Sequence, residues 1–388
     1  MFKESPTLVA KQIMAKLIED GKPVYNGGLG ENPLPISKCL QDELKKHTHL
    51  KEYTGTGGIS GLQAILGKHL VVGNGSKELI YILQLAYSKI YPNGCIFYIF
   101  PAWVSYMEQG DILDVKTQGI QVNDDYKINL SDLENKLKSV YPIPSLIIFN
   151  NPCNPTGVLY SQDEVIALAN IFKKYNTIVL NDCIYKDLIH EKYEDHFGDI
   201  SKCYENTIDS SSLSKTFACG GYRFGWLSFP DKLEILFKAA TSFASSIYSC
   251  PTLALQHVAV KALNFPDEIK QDIIFQKEMF QTIGGYLYEE LTNCNLKCSV
   301  PQAAWYMWIN FEHYKNKLAD HNINNSDELA IYLATNFGII IVSGSAFGST
   351  ELAFRYSYID VDIDMENKTY DFTRIKKFAS ILKEWLIE

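Results

Sequence analysis

The feature that most constrains this chain is an alternation of short apolar strands with helices, running from about residue 58 to residue 230. Strand candidates Leu70–Val72, Cys95–Phe100, Leu146–Phe149, Ile178–Leu180 and Leu227–Phe229 are separated by helical stretches such as Ser76–Lys89 and Gln162–Lys174. Strands this apolar along their whole length have no wet face, so they belong in a mostly parallel sheet covered by helices on both sides. The pattern predicts a three-layer α/β unit, and ligands of such sheets bind beyond the carboxyl ends of the strands. Residues 231–295 read as mainly helical. From about 298 to 388 the chain returns to mixed strand and helix, with Trp305–Ile309 and Gly338–Val342 as strands. The expected division is a large domain over 45–285 and a smaller α+β domain built from both termini, 1–44 and 286–388.

The segment Met1 to Gly21 predicts an amphipathic helix with Ser5 as N-cap, Pro6 in the first turn and Gly21 as the stop. Charged residues interrupt its apolar positions, so it is not expected to be a secretory signal. Nor does any apolar run approach the roughly 20 residues of a bilayer span. The net charge of −9 disfavours nucleic acid and anionic membrane as partners, because both need a clustered basic surface. Nine cysteines, from Cys39 to Cys298 and without a C-x-x-C pair, fit neither a disulfide framework nor a zinc site. Cys294 and Cys298 lack a nearby partner to complete a tetrad, so no metal is expected. Buried, reduced thiols imply a reducing compartment, and cytoplasmic placement follows.

Of 36 basic residues only Arg223, Arg355 and Arg374 are arginines. A chain that uses Lys wherever positive charge suffices keeps Arg where a planar, bidentate anion contact is needed.

Five segments fall where strands of the expected sheet end. Gly73-Asn-Gly-Ser-Lys-Glu78 opens a helix, where the backbone N–H groups of Gly75, Ser76 and Lys77 can cradle a phosphate. In Pro101-Ala-Trp-Val-Ser-Tyr106, Trp103 can stack on a planar ring. Either segment alone is more often structural than functional. Asn151-Pro-Cys-Asn-Pro-Thr-Gly157 forces an irregular turn that presents Asn154 to the crevice. In Asn181-Asp-Cys-Ile-Tyr185, Asp182 stands among apolar residues and calls for a cationic partner. Finally, Ser212-Leu-Ser-Lys-Thr-Phe-Ala-Cys-Gly-Gly-Tyr-Arg223-Phe-Gly225 brings a lysine, hydroxyls and a scarce arginine together.

These motifs, in this order from about Gly30 to Arg355, resemble the class I/II aminotransferases of the pyridoxal-phosphate fold type I family. The resemblance implies a pyridoxal 5′-phosphate-dependent transaminase that moves an amino group between an L-amino acid and a 2-oxo acid in a ping-pong cycle. It makes the large domain the cofactor domain. Lys215 corresponds to the lysine that carries the cofactor and moves the substrate proton, Asp182 to the partner of the pyridine nitrogen, and Tyr185 and Asn154 to the groups on the ring's phenolic oxygen. Trp103 and Ile184 correspond to the residues on the two ring faces. Gly75, Ser76, Lys77, Ser212, Ser214 and Arg223 fall at the phosphate-binding positions. Tyr53, in Tyr53-Thr-Gly-Thr-Gly-Gly58, resembles the tyrosine that reaches the partner subunit's phosphate, which implies a homodimer with shared active sites. Gly30, in Gly-Glu-Asn-Pro33, resembles the glycine that closes over substrate, and Arg355 the clamp on the substrate α-carboxylate.

Cys153, Cys219 and Phe224 depart from the family's usual residues without touching these groups. The side-chain specificity stays open. No arginine lies between Arg223 and Arg355 to read a second carboxylate, although Lys77 can still do so, and the many aromatics fit a neutral or aromatic donor equally well. A broad L-amino acid/2-oxoglutarate reaction is the expectation, with a carbon–sulfur lyase or a histidinol-phosphate-type transaminase as the alternative on this fold.

Overall fold

The computed structural model describes residues 6–387, with side chains from residue 12. Seven strands form the main sheet in the order Leu70–Gly73, Gly225–Ser228, Thr207–Ser212, Ile178–Asp182, Leu146–Asn150, Ile96–Ile99 and Thr117–Ile120. Gly225–Ser228 alone runs opposite to the other six strands. The register puts Asn150 beside Asp182, Asp182 beside Ser210, and Ser212 and Gly73 on either side of Gly225. The residues singled out from the sequence therefore gather along one edge, where the parallel strands end.

The apolar strands feed two cores, because successive side chains point to opposite faces. Leu146, Ile148, Ile178 and Leu180 pack with helices Ser76–Ile90 and Glu234–Ile247, whereas Ile147, Phe149 and Val179 pack with helices Leu130–Val140 and Gln162–Lys174. This is the expected three-layer arrangement. Local signals place the helix starts: Ser161 and Glu164 form a reciprocal capping box, and Asn129 accepts from the Asp132 N–H at 3.0 Å.

A second sheet of four strands, antiparallel throughout, has the order Val342–Ser343, Ala353–Ser357, Tyr306–Asn310 and Lys297–Cys298. It packs on the 26-residue helix Asp267–Thr292 and on Thr373–Ile387 through residues such as Phe280, Leu287, Phe378 and Leu382. Tyr25–Asn26 pairs in parallel with Ile339–Ile340, tying the N-terminal segment to this region.

Three sequence readings are adjusted. The strand expected over Gly338–Val342 is two short pieces, because the chain leaves its ladder with Tyr25–Asn26 before Val342–Ser343 joins the four-stranded sheet. Thr207–Ser212, a central strand, and Thr117–Ile120, the far-edge strand, carry no apolar run. The first helix spans Pro6–Glu19 and stops before Gly21, whose φ of +66° suits a helix terminator; the proposed cap Ser5 lies outside the described residues.

Candidate active site

A cavity of about 510 Å³ opens at the carboxyl edge of the main sheet. Of the residues predicted from sequence, Gly30, Ser76, Lys77, Trp103, Asn154, Asp182, Ile184, Tyr185, Ser214, Lys215, Arg223 and Arg355 all line it. Gly75 and Ser212 stand just behind, Gly75 beneath the Arg223 guanidinium and Ser212 accepting from the Ser214 N–H at 3.1 Å. Tyr53 does not line it. It is 88% exposed and borders a separate surface hollow with Thr54, Phe237 and Thr241.

Asp182 ends its strand and is buried. One carboxylate oxygen accepts from the Tyr106 hydroxyl, and Oδ1 has no partner. Burial raises its pKa from 3.8 to about 6, against the opposing pull of the Tyr106 hydrogen bond, the Ile184 N–H and the Lys215 ammonium. The Lys215 Nζ donates to the Gly30 carbonyl and not to this carboxylate. Lys215 is held through its backbone: the buried Asn32 donates to its carbonyl at 2.6 Å and to Gln276 at 2.7 Å, and Gln276 donates to Thr216 O at 3.2 Å.

Arg355 enters from the second sheet, in register with Trp308. It is buried, donating to Asn154 Oδ1 at 3.2 Å and to Gly28 O at 2.8 Å, while Nε has no partner. Burial depresses its pKa, but a guanidinium keeps its charge in proteins, so the site holds a desolvated cation with donor capacity to spare. At the opposite end, Gly75 starts the helix Ser76–Ile90 with φ +96° and no side-chain cap. A Cβ there would come within 2.4 Å of Arg223, so only glycine lets the guanidinium stand over this helix start. Arg223 donates to Gly220 O at 2.8 Å and to Asn74 O at 3.2 Å.

Sequence reasoning missed four contributors. Tyr106 lies three residues after Trp103 at the start of one helix, a spacing that brings side chains together, and the rings meet edge-on at 5.2 Å. Asn150 closes its strand just before the Asn-Pro heptad and accepts from the Asn154 N–H at 2.7 Å. Asn32 sits inside the Gly-Glu-Asn-Pro segment that was read only for its glycine. Tyr306 lies within Ala-Trp-Tyr-Met-Trp, which reads as core, and nothing local marks it.

The class is now defined: a doubly covered, mostly parallel sheet whose carboxyl edge joins a lysine, a buried carboxylate, an anion cradle and a second-sheet arginine. Residues 38–365 match the family model "Aminotransferase class I and II", and the chain belongs to that family. It is 26% identical over 355 residues to an aspartate aminotransferase of Sulfolobus acidocaldarius, covering 85% of this chain and 83% of that one. An aspartate aminotransferase from Thermus thermophilus with maleate superposes with a TM-score of 0.83 at 20% identity, over 98% of this chain and 97% of that one. An aromatic aminotransferase from Pyrococcus horikoshii OT3 gives 0.81 at 20% identity, over 96% and 98%.

The protein is therefore a pyridoxal-phosphate-dependent transaminase, and the family and relatives favour this over the lyase and histidinol-phosphate alternatives. Its residues fit the cofactor. The orphaned oxygen of Asp182 suits a protonated ring nitrogen, and the uncapped helix start beneath Arg223 suits a phosphate. Among the described residues no helix is long and apolar enough to cross a membrane.

Proposed function

We propose that Lys215 anchors the cofactor and carries the substrate's α-proton on Nζ, that Asp182 holds the ring nitrogen protonated, and that Arg355 clamps the α-carboxylate. The unpartnered, buried oxygen of Asp182, in one cavity with Lys215 and Arg355, carries this reading. When bound, pyridoxal phosphate supplies a ring that accepts the electron pair left as the α-proton departs. A desolvated carboxylate beside the ring nitrogen raises that nitrogen's proton affinity. Arg355, with its side chain fixed by Asn154 and Gly28, orients the amino acid so that the breaking bond faces Nζ. Tyr185 and Asn154 hold the ring oxygen, while Trp103 and Ile184 flank the ring. Gly75, Ser76, Lys77, Ser212, Ser214 and Arg223 hold the phosphate.

The working unit in this reading is a homodimer, with Tyr53 completing the partner's site. Its exposed ring, outside its own cavity, supports that arrangement. The cofactor domain is 45–285 and the smaller domain 1–44 with 286–388. Nine free thiols support a reducing, cytoplasmic setting. The substrates are L-amino acids and 2-oxo acids of broad side-chain type. Lys77, with Nζ 5.0 Å from the Trp103 ring at the cavity, can meet a side-chain carboxylate, and the relatives are named for both aspartate and aromatic donors. A screen of amino donors against 2-oxoglutarate, pyruvate and oxaloacetate, followed by the cofactor spectrum, tests this. Aspartate, glutamate and an aromatic donor should each bleach the resting band, and an oxo acid should restore it. Product released beyond one equivalent per active site without any oxo acid would refute the reading.

A further inference from the structure

Tyr306 belongs to none of the roles above, yet three of their members converge on it. Its hydroxyl lies 2.9 Å from the Tyr185 hydroxyl, with the two rings perpendicular at 5.5 Å. The Arg355 guanidinium stands 4.8 Å from its ring centroid. A Cβ on Gly30 would come within 2.5 Å of its oxygen, so the segment that closes the cavity is shaped around this one hydroxyl.

We propose that Tyr306 is a positioning residue of the transamination site: its hydroxyl aims that of Tyr185, and its ring seats the guanidinium of Arg355. The inference rests on the roles given above to Tyr185 and Arg355. A phenol has one proton and can accept through its lone pairs. If Tyr185 gives its proton to the ring oxygen of the cofactor, the 2.9 Å contact is made by Tyr306 donating, in place of its longer bond to Gly30 O at 3.5 Å. The charges favour that direction. Burial pushes Tyr306 up, but the Lys215 and Arg355 charges, together with hydrogen bonds to Tyr185 and Trp305, bring this phenol below its ordinary range. Burial and the neighbouring Tyr306 hold Tyr185 well above its own. The more acidic hydroxyl is the better donor, which agrees with Tyr306 donating to Tyr185 across the 2.9 Å contact. The ring meanwhile offers its electron-rich face to a cation that burial has stripped of water.

The test uses the cofactor-loaded enzyme and the pH midpoint of its visible absorbance, a property that a merely structural role would leave in place. A hydrogen bond to the ring oxygen stabilises its anionic form, so Tyr185→Phe should raise the midpoint. Tyr306→Phe should raise it by roughly half a pH unit, about threefold in proton affinity. In the Tyr185→Phe background the second substitution should add nothing, since the path to the ring oxygen is already cut. Tyr306→Leu, which also removes the aromatic face, should raise KM for the amino acid roughly fivefold over Tyr306→Phe. If Tyr185→Phe moves the midpoint and Tyr306→Phe does not, the inference is wrong while the site reading stands. If Tyr185→Phe itself has no effect, the reading of the site fails first. A KM unchanged between the Phe and Leu variants would remove the support given to Arg355.

Discussion

Replacing Asp182 with Asn should make the cofactor-free protein more stable while disabling it. The carboxylate is buried, its Oδ1 has no partner, and burial moves its pKa from 3.8 to about 6. At about 1.4 kcal/mol per pH unit, ionising this group in the folded state costs about 3 kcal/mol. The sign follows from proton binding. Between pH 3.8 and about 6 the folded chain holds a proton that the unfolded chain has lost, so stability falls as pH rises through this window and is flat above it. An Asn carries no charge and can still accept from Tyr106. Asp182→Asn should therefore stabilise the cofactor-free protein by up to about 3 kcal/mol at pH 7, and by about half of that at pH 5. Urea unfolding of both stripped proteins at a series of pH values measures the difference. The loaded variant should lose at least ~10²-fold in kcat, because the ring nitrogen then has no anion beside it. An Asn variant less stable than the parent at pH 7, or a gain that does not shrink toward pH 5, would refute the reasoning. Such a trade of stability for chemistry is common where a charge is kept desolvated for a ligand.

Arg355→Lys keeps the charge but loses the planar fork, and should raise KM for amino acids by ~10²-fold with a smaller effect on cofactor content, read by steady-state kinetics. Gly75→Ala forces a side chain into a φ of +96° and within 2.4 Å of Arg223. It should weaken cofactor affinity at least ~10-fold, measured by equilibrium dialysis, whereas equal affinity would show that the cradle lies elsewhere. Asn32→Leu strips hydrogen-bond partners from the Lys215 carbonyl and from Gln276. It should cost about 1–3 kcal/mol in denaturant unfolding, and an unchanged midpoint would contradict the bridging role.

Much of this molecule was legible because its large sheet is buried on both faces. Leu146, Ile147, Ile148 and Phe149 all had to be apolar, and motifs at the ends of such strands meet at one edge by topology alone. The Thr207–Ser212 strand was not, since Asp209 accepts from Asn181 and Ser212 from the Ser214 N–H, and its polar residues form no apolar run. Asp182 was identified, but its Tyr106 partner is 76 positions away in sequence. Tyr306 is 121 positions from Tyr185, so only folding shows that an aromatic of the second sheet faces the cavity. Charge scarcity singled out Arg223 and Arg355, yet it marked Arg374 equally. That residue forms a surface fork on Asp360 and Asp362.

The most direct test of the whole account is to reduce the loaded enzyme with borohydride and map the phosphopyridoxyl group by mass spectrometry. The label should sit on Lys215 alone and be absent from Lys215→Ala. A label on Lys77 or any other lysine, or an alanine variant that keeps the visible band and full turnover, would contradict it.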